Sequence, residues 1–134
     1  MDEAQLRQIE LFDGLTRKQR RRLAMRADEI DVQPGRVLCS KGEHADEFFV
    51  IAKGTARVMR GDQYLDELGP GDFFGEMGLL EDAPRNADVI AETALTVMVL
   101  SGPALKELER ESPDLARKLG RSIEQRRHWL EPVG

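Results

Sequence analysis

The sequence predicts a mainly β chain with flanking helices, an antiparallel β-roll of jelly-roll type. Three observations carry this. Hydrophobic residues alternate with a period of two from Asp28 to Ser101; turn residues cut that stretch at short intervals; helical signals lie on either side of it. Many short strands at regular spacing indicate a sandwich or a small antiparallel barrel.

The elements follow in order. Residues 3–27 read as helical: Leu6, Ile9 and Leu11-Phe12 make a short apolar stripe that Asp13-Gly14 breaks. Thr16, with Gln19 three places on, is a capping box, opening a helix that carries Leu23, Ala24 and Ala27. The run Arg17-Lys18-Gln19-Arg20-Arg21-Arg22 on this helix reads as a solvated face or a dock for an acidic partner. From Asp28 the pairs Ile30/Val32, Val37/Cys39, Phe49/Ile51, Ala56/Val58, Leu65, Val89/Ala91 and Leu95/Val97/Val99 mark strands. Pro34-Gly35, Lys41-Gly42-Glu43, Lys53-Gly54, Gly61-Asp62 and Gly69-Pro70-Gly71-Asp72 separate them with turn chemistry. Phe48-Phe49-Val50-Ile51 is apolar on both faces, so it is expected between the roll interior and the helices. Ser101 caps a helix through Leu105 and Leu108, and Ser112-Pro113 opens another with serine as cap and proline at the first helical position. Leu115, Leu119, Ile123 and Leu130 form the stripe of that last helix, with Gly120 inside it as a close-packing point or a hinge.

Composition bounds the function. At 134 residues the chain is read as a single domain over 1–134, with helices over 3–27, the roll over 28–101 and helices over 102–130. A net charge of −5 argues against direct nucleic-acid contact, which needs basic charge. No apolar run approaches the roughly 20 residues of a membrane span, so no membrane contact is expected. One cysteine, and a start without signal-peptide order, point to the cytoplasm. Two histidines more than eighty positions apart, with no nearby His or Cys partner, leave no metal site. No nucleophile, base and orienting group come together, so no catalytic residue and no enzyme is expected.

The chain is organised around residues 73–91. Here a strand turns at Gly75, enters a short helix at Glu76, and returns to a strand through Pro84-Arg85. Glycine permits close backbone approach, and the first amides of a helix favour anions. Arg85 adds a planar, permanently charged fork suited to phosphate. Glu76 has a plain reading, since a carboxylate in the first turn offsets the helix dipole by about 0.3–1 kcal/mol. Beside a phosphate clamp it also suits a neutral donor such as a ribose hydroxyl. Clamp and acceptor together describe a small nucleotide.

Phe74-Gly75-Glu76-Met77-Gly78-Leu79, followed by Pro84-Arg85-Asn86-Ala87, resembles the phosphate-binding cassette of cyclic nucleotide-binding domains. The family's earlier signature is matched by Leu38-Cys39-Ser40-Lys41-Gly42-Glu43-His44-Ala45, then Phe48-Phe49-Val50-Ile51 and Gly54. The resemblance covers roughly residues 12–130. It implies that Glu76 accepts from the ribose 2′-hydroxyl and that Arg85 holds the cyclic phosphate. Gly75, Met77, Asn86 and Ala87 would complete the ligand-binding set, with backbone amides around Gly75, Glu76, Asn86 and Ala87 cradling the phosphate. It further implies a regulatory domain with cAMP as ligand, or cGMP, no other cofactor, and C-terminal helices that swing in over the base to signal to an effector domain or protein. Asn86 departs from the family's usual Ala, Ser or Thr, where alanine goes with cAMP and a hydroxyl with cGMP; that leaves base preference open. Trp129, with His128 beside it, is either a lid stacked on the base or an aromatic packed on the roll or on a second copy. The short stripe of the last helix leaves a homodimer open. The rival reading is a ligand-free roll kept as an interaction or scaffold domain.

Overall fold

A computed structural model describes residues 1–40, 42–43, 46–80 and 87–130 of the chain, with His128 and Leu130 by backbone only. Helix α1 (Glu3–Arg7), a 3-10 turn (Glu10–Phe12) and α2 (Arg17–Arg26) precede the strands. The strands are β1 (Asp28–Val32), β2 (Val37–Cys39), β3 (Glu47–Lys53), β4 (Ala56–Arg60), β5 (Gln63–Leu68), β6 (Phe73–Phe74), β7 (Asp88–Ala91) and β8 (Leu95–Ser101). The five-residue α3 (Glu76–Leu80) lies between β6 and β7; α4 (Gly102–Glu111), α5 (Pro113–Gln125) and a 3-10 turn (Arg127–Leu130) follow β8.

The strands form two four-stranded antiparallel sheets, ordered β1-β8-β3-β6 and β2-β7-β4-β5. Their order interleaves distant segments, which is the jelly-roll solution to closing a sheet on itself. Each strand named from alternation is present. Strand β3 confirms the two-faced reading: Phe48, Phe49, Val50 and Ile51 are all buried. Phe48 and Val50 join a cluster with Leu6, Phe12, Leu105, Leu115 and Leu119 on the helical side. Phe49 and Ile51 join Val58, Phe74, Val97, Ile123 and Trp129 inside the roll. Successive side chains of a strand point to opposite faces, so one strand separates the two cores.

The helix caps explain where the helices start. Thr16 and Gln19 form the capping box, and Ser101 and Ser112 accept from Ala104 and Leu115 amides. Asp2 and Gln5 make a second box, which the sequence reading missed. Two expectations need correction. Arg20, counted in the solvated basic run, is buried; its guanidinium donates to Glu3 at 2.9 Å and to the Leu15 carbonyl, tying α2 to α1. Arg17, Lys18, Arg21 and Arg22 are exposed as expected. The last helix stops at Gln125, so Leu130 lies in the 3-10 turn rather than on the α5 stripe. Gly120 is exposed, with open space where a Cβ would stand, so it is not a close-packing point.

Candidate functional site

The site begins with the pinning of β6. Phe49 and Phe74 stack at 4.8 Å between centroids, and their Cα positions pair across the sheet. Immediately after Phe74 the chain turns at Gly75 with φ +99°, a conformation that L side chains rarely adopt. The turn delivers Glu76 to the first position of α3. At the far end of α3, Leu79 sits over Gly102, where a Cβ would come within 2.9 Å of its side chain. The cassette helix is thus held from both ends by sheet and α4.

Glu76 is 1% exposed. Taking a carboxylate out of water costs several kcal/mol unless hydrogen bonds and an opposite charge replace the solvent. Both come from α5 and the residue that closes it. Ser122 donates its hydroxyl to Oε1 at 3.0 Å, and Arg126 donates Nη1 to the same oxygen at 2.7 Å. The Arg126 guanidinium also lies over two aromatic faces, 5.0 Å from the Phe73 centroid and 4.9 Å from that of Trp129. Trp129 is 4% exposed, and its carbonyl accepts from Nη1 of Arg60 on β4.

Trp129 lines a small cavity with Cys39, Phe74, Gly75, Glu76, Met77, Gly78, Ala87 and Val89. Only about 20 Å³ is open there, room for about one water. The structure therefore brings together Gly75, Glu76, Met77, Ala87 and Trp129 of the residues the sequence singled out. Arg85 and Asn86 lie outside the described residues, as does the side chain of His128. Of the two readings of Trp129, the described contacts are those of an aromatic packed into the roll beside the cassette.

Ser122, Arg126 and Arg60 were missed. A signal for the first two existed: Leu115, Leu119, Ser122 and Arg126 are spaced by four, three and four, so the polar pair continues one apolar stripe. A serine and an arginine where that stripe should remain apolar imply a buried polar partner. Beside them lies an open groove of about 530 Å³, bordered by Asp66, Glu67, Asp72 and Phe73 on one side and Lys118 and Arg121 on the other. Among the described residues no cluster of three His, Cys, Asp or Glu side chains could hold a metal ion, and no helix is long and apolar enough to cross a membrane.

A roll of two interleaved sheets, with a glycine bend that buries an acceptor beside a short helix, places the chain among the small antiparallel β-roll domains. The chain belongs to the cyclic nucleotide-binding domain family, whose model matches residues 29–112. It is 38% identical over 96 residues to a cyclic nucleotide-gated potassium channel of Rhizobium etli, covering 72% of this chain and 27% of the channel. It is 32% identical over 108 residues to a cAMP-dependent protein kinase regulatory subunit of Hypocrea atroviridis, covering 81% of this chain and 23% of that protein. The chain thus spans about a quarter of the length of these relatives. A solved structure described as cAMP-bound PfPKA-R (141-441) superposes with a TM-score of 0.88 at 24% identity, covering 96% of this chain and 44% of the other; this likeness establishes the fold alone.

Proposed function

We propose that the chain is a single regulatory domain over 1–134 that senses a cyclic nucleotide, cAMP ahead of cGMP, in the cytoplasm. The observation that carries the reading is the Glu76 carboxylate, buried at a glycine bend in a residue that lines one small cavity with Gly75, Met77 and Ala87. In this reading Glu76 accepts from the ribose 2′-hydroxyl and Arg85 clamps the cyclic phosphate. Gly75, Met77, Asn86 and Ala87 shape the cradle, with Trp129 and His128 nearest the base. Two relatives named for cyclic nucleotides, one a channel and one a kinase regulatory subunit, support the ligand class and differ in what they regulate. The output is made on an effector domain or partner, with no chemistry at the site itself.

Isothermal titration with cAMP, cGMP and 2′-deoxy-cAMP tests the reading. Binding of cAMP, weakened by Glu76→Ala while the 2′-deoxy analogue is nearly unaffected, is the expected pattern. Arg85→Ala should remove about 2–5 kcal/mol of affinity. Equal loss of both ligands in Glu76→Ala refutes the sugar contact.

One observation favours the second reading, a roll that holds no nucleotide and serves as an interaction or scaffold domain. The cavity that the described residues line beside Glu76 has about 20 Å³, whereas small-molecule pockets run to about 300 Å³ or more. Absence of heat with all three nucleotides would favour that reading.

A further inference from the structure

The residues that fill the site come from one short segment at the end of α5. Arg126 and Ser122 both donate to Oε1 of Glu76, at 2.7 and 3.0 Å, so the carboxylate that a sugar hydroxyl would have to reach is already engaged by α5 and the residue that closes it. Trp129 is buried in the cavity that a base or phosphate would have to enter, and Arg60 holds it there by its carbonyl. Arg126 is sandwiched between Phe73 of the cassette strand and Trp129 itself, so the two side chains brace one another. These three residues reproduce what a bound ligand would supply: a donor to the buried carboxylate, an aromatic plane in the cavity and an anchor to the sheet. Arg126 and Trp129 both lie beyond residues 29–112, the span matched by the family model.

We propose that segment 126–129 is a built-in competitor for the cassette, so that a cyclic nucleotide enters only by expelling Arg126 and Trp129. The proposal rests on the cyclic-nucleotide reading above and reverses its expected movement: the end of α5 leaves on binding instead of closing over the base. The open groove gives Arg126 a second home. Asp66, Glu67 and Asp72 line it, and Arg126 already borders it, so the guanidinium can exchange Glu76 for those carboxylates without crossing the core. Such a device has two arrangements, and a ligand shifts their balance only by binding one better than the other. Affinity measured on the intact chain is reduced by the fraction of molecules in which the segment is out.

Trp129 is the single tryptophan, so its fluorescence reports the segment directly. The intact chain is titrated with cAMP, with calorimetry for binding and emission wavelength with acrylamide quenching for Trp129. Saturation should red-shift the emission and raise the quenching several-fold. Arg126→Gln and Trp129→Ala should each bind cAMP at least about tenfold more tightly, a difference of about 1.4 kcal/mol. Should Trp129→Ala fail to fold, Arg126→Gln and the wild-type fluorescence still decide the matter. If cAMP binds and Trp129 stays shielded, the competitor is overturned and the nucleotide reading stands. Weaker or unchanged affinity in Arg126→Gln also overturns it, weaker affinity making Arg126 a residue that positions Glu76. If neither the wild type nor any variant binds a cyclic nucleotide, the functional reading falls and the competitor with it.

Discussion

Removing the charge of Glu76 is the most informative single perturbation of stability. Glu76→Gln keeps the shape of the side chain, so the change isolates the ion pair with Arg126. The two side chains are 2% and 13% exposed, and the contact is 2.7 Å. Breaking a fully buried pair by removing one partner costs about 3–5 kcal/mol. Arg126 borders an open groove and can turn toward water, so the expected loss is smaller, about 2–4 kcal/mol. For a chain of this length each kcal/mol moves Tm by about 3–4 °C, so melting should fall by about 6–16 °C. Arg126→Gln loses the same pair together with its stacking on Phe73 and Trp129, worth about 0.5–1 kcal/mol each. A double-mutant cycle separates these contributions: the double variant should be less destabilised than the two single losses added, by about 1–3 kcal/mol. Urea unfolding monitored by circular dichroism supplies all four corners. A coupling energy below about 0.5 kcal/mol would mean that the pair does not bind α5 to the cassette.

Other consequences can be measured on the same footing. Gly54→Ala should lower stability by about 2–4 kcal/mol in urea titrations, since Gly54 has φ +88° and a Cβ would stand 2.2 Å from the Ala94 carbonyl oxygen. Gly35→Ala, at φ +87° but with open space around it, should lose only about 1 kcal/mol; equal losses would show that the Ala94 contact is unimportant. Gly120→Ala should raise stability by about 0.5–1 kcal/mol, because the position is helical, exposed and uncrowded, and a decrease would refute that argument. The Lys118 ammonium, paired with Asp114 Oδ2 at 3.0 Å, with the further charge of Arg117, holds the Asp114 carboxyl below the usual aspartate range. Its stabilising effect is therefore present above the ordinary value of about 3.9 and is lost as pH falls through the depressed native value. The Tm advantage of wild type over Asp114→Asn should shrink on acidification from pH 5 to pH 2; a constant difference would refute this linkage.

Much of the fold was legible because its signals are local. Alternation at Val58 or Val97 places a side chain on an inner face without knowledge of its neighbours, and the serines at 101 and 112 mark helix starts within three residues of the amides they cap. The two-faced run at Phe48 to Ile51 even disclosed which strand lies between the two cores. What escaped was non-local. Glu76 was singled out by the bend before it, yet Ser122 and Arg126 lie 46 and 50 positions further on, and nothing near them in the chain names their partner. Arg20 was misjudged for the same reason: a basic run looks solvated until one member finds a carboxylate on another helix. The end of α5 was placed too late, because an apolar residue at 130 continues the spacing even though the backbone has already tightened into a 3-10 turn.

Helix α5 has its two halves seated in different hydrophobic bodies. Leu115 and Leu119 belong with the amino-terminal helices, where Lys118 also reaches Asp13 and the Glu10 carbonyl. Ile123, one turn further, belongs with the strands. The helix is a strut fastened at its root to the 3-10 turn after α1, with its tip on the opposite side of β3. A displacement at residue 129 would register on the face carrying α1 and α2 as well as beside the cassette, more than a strand's width away.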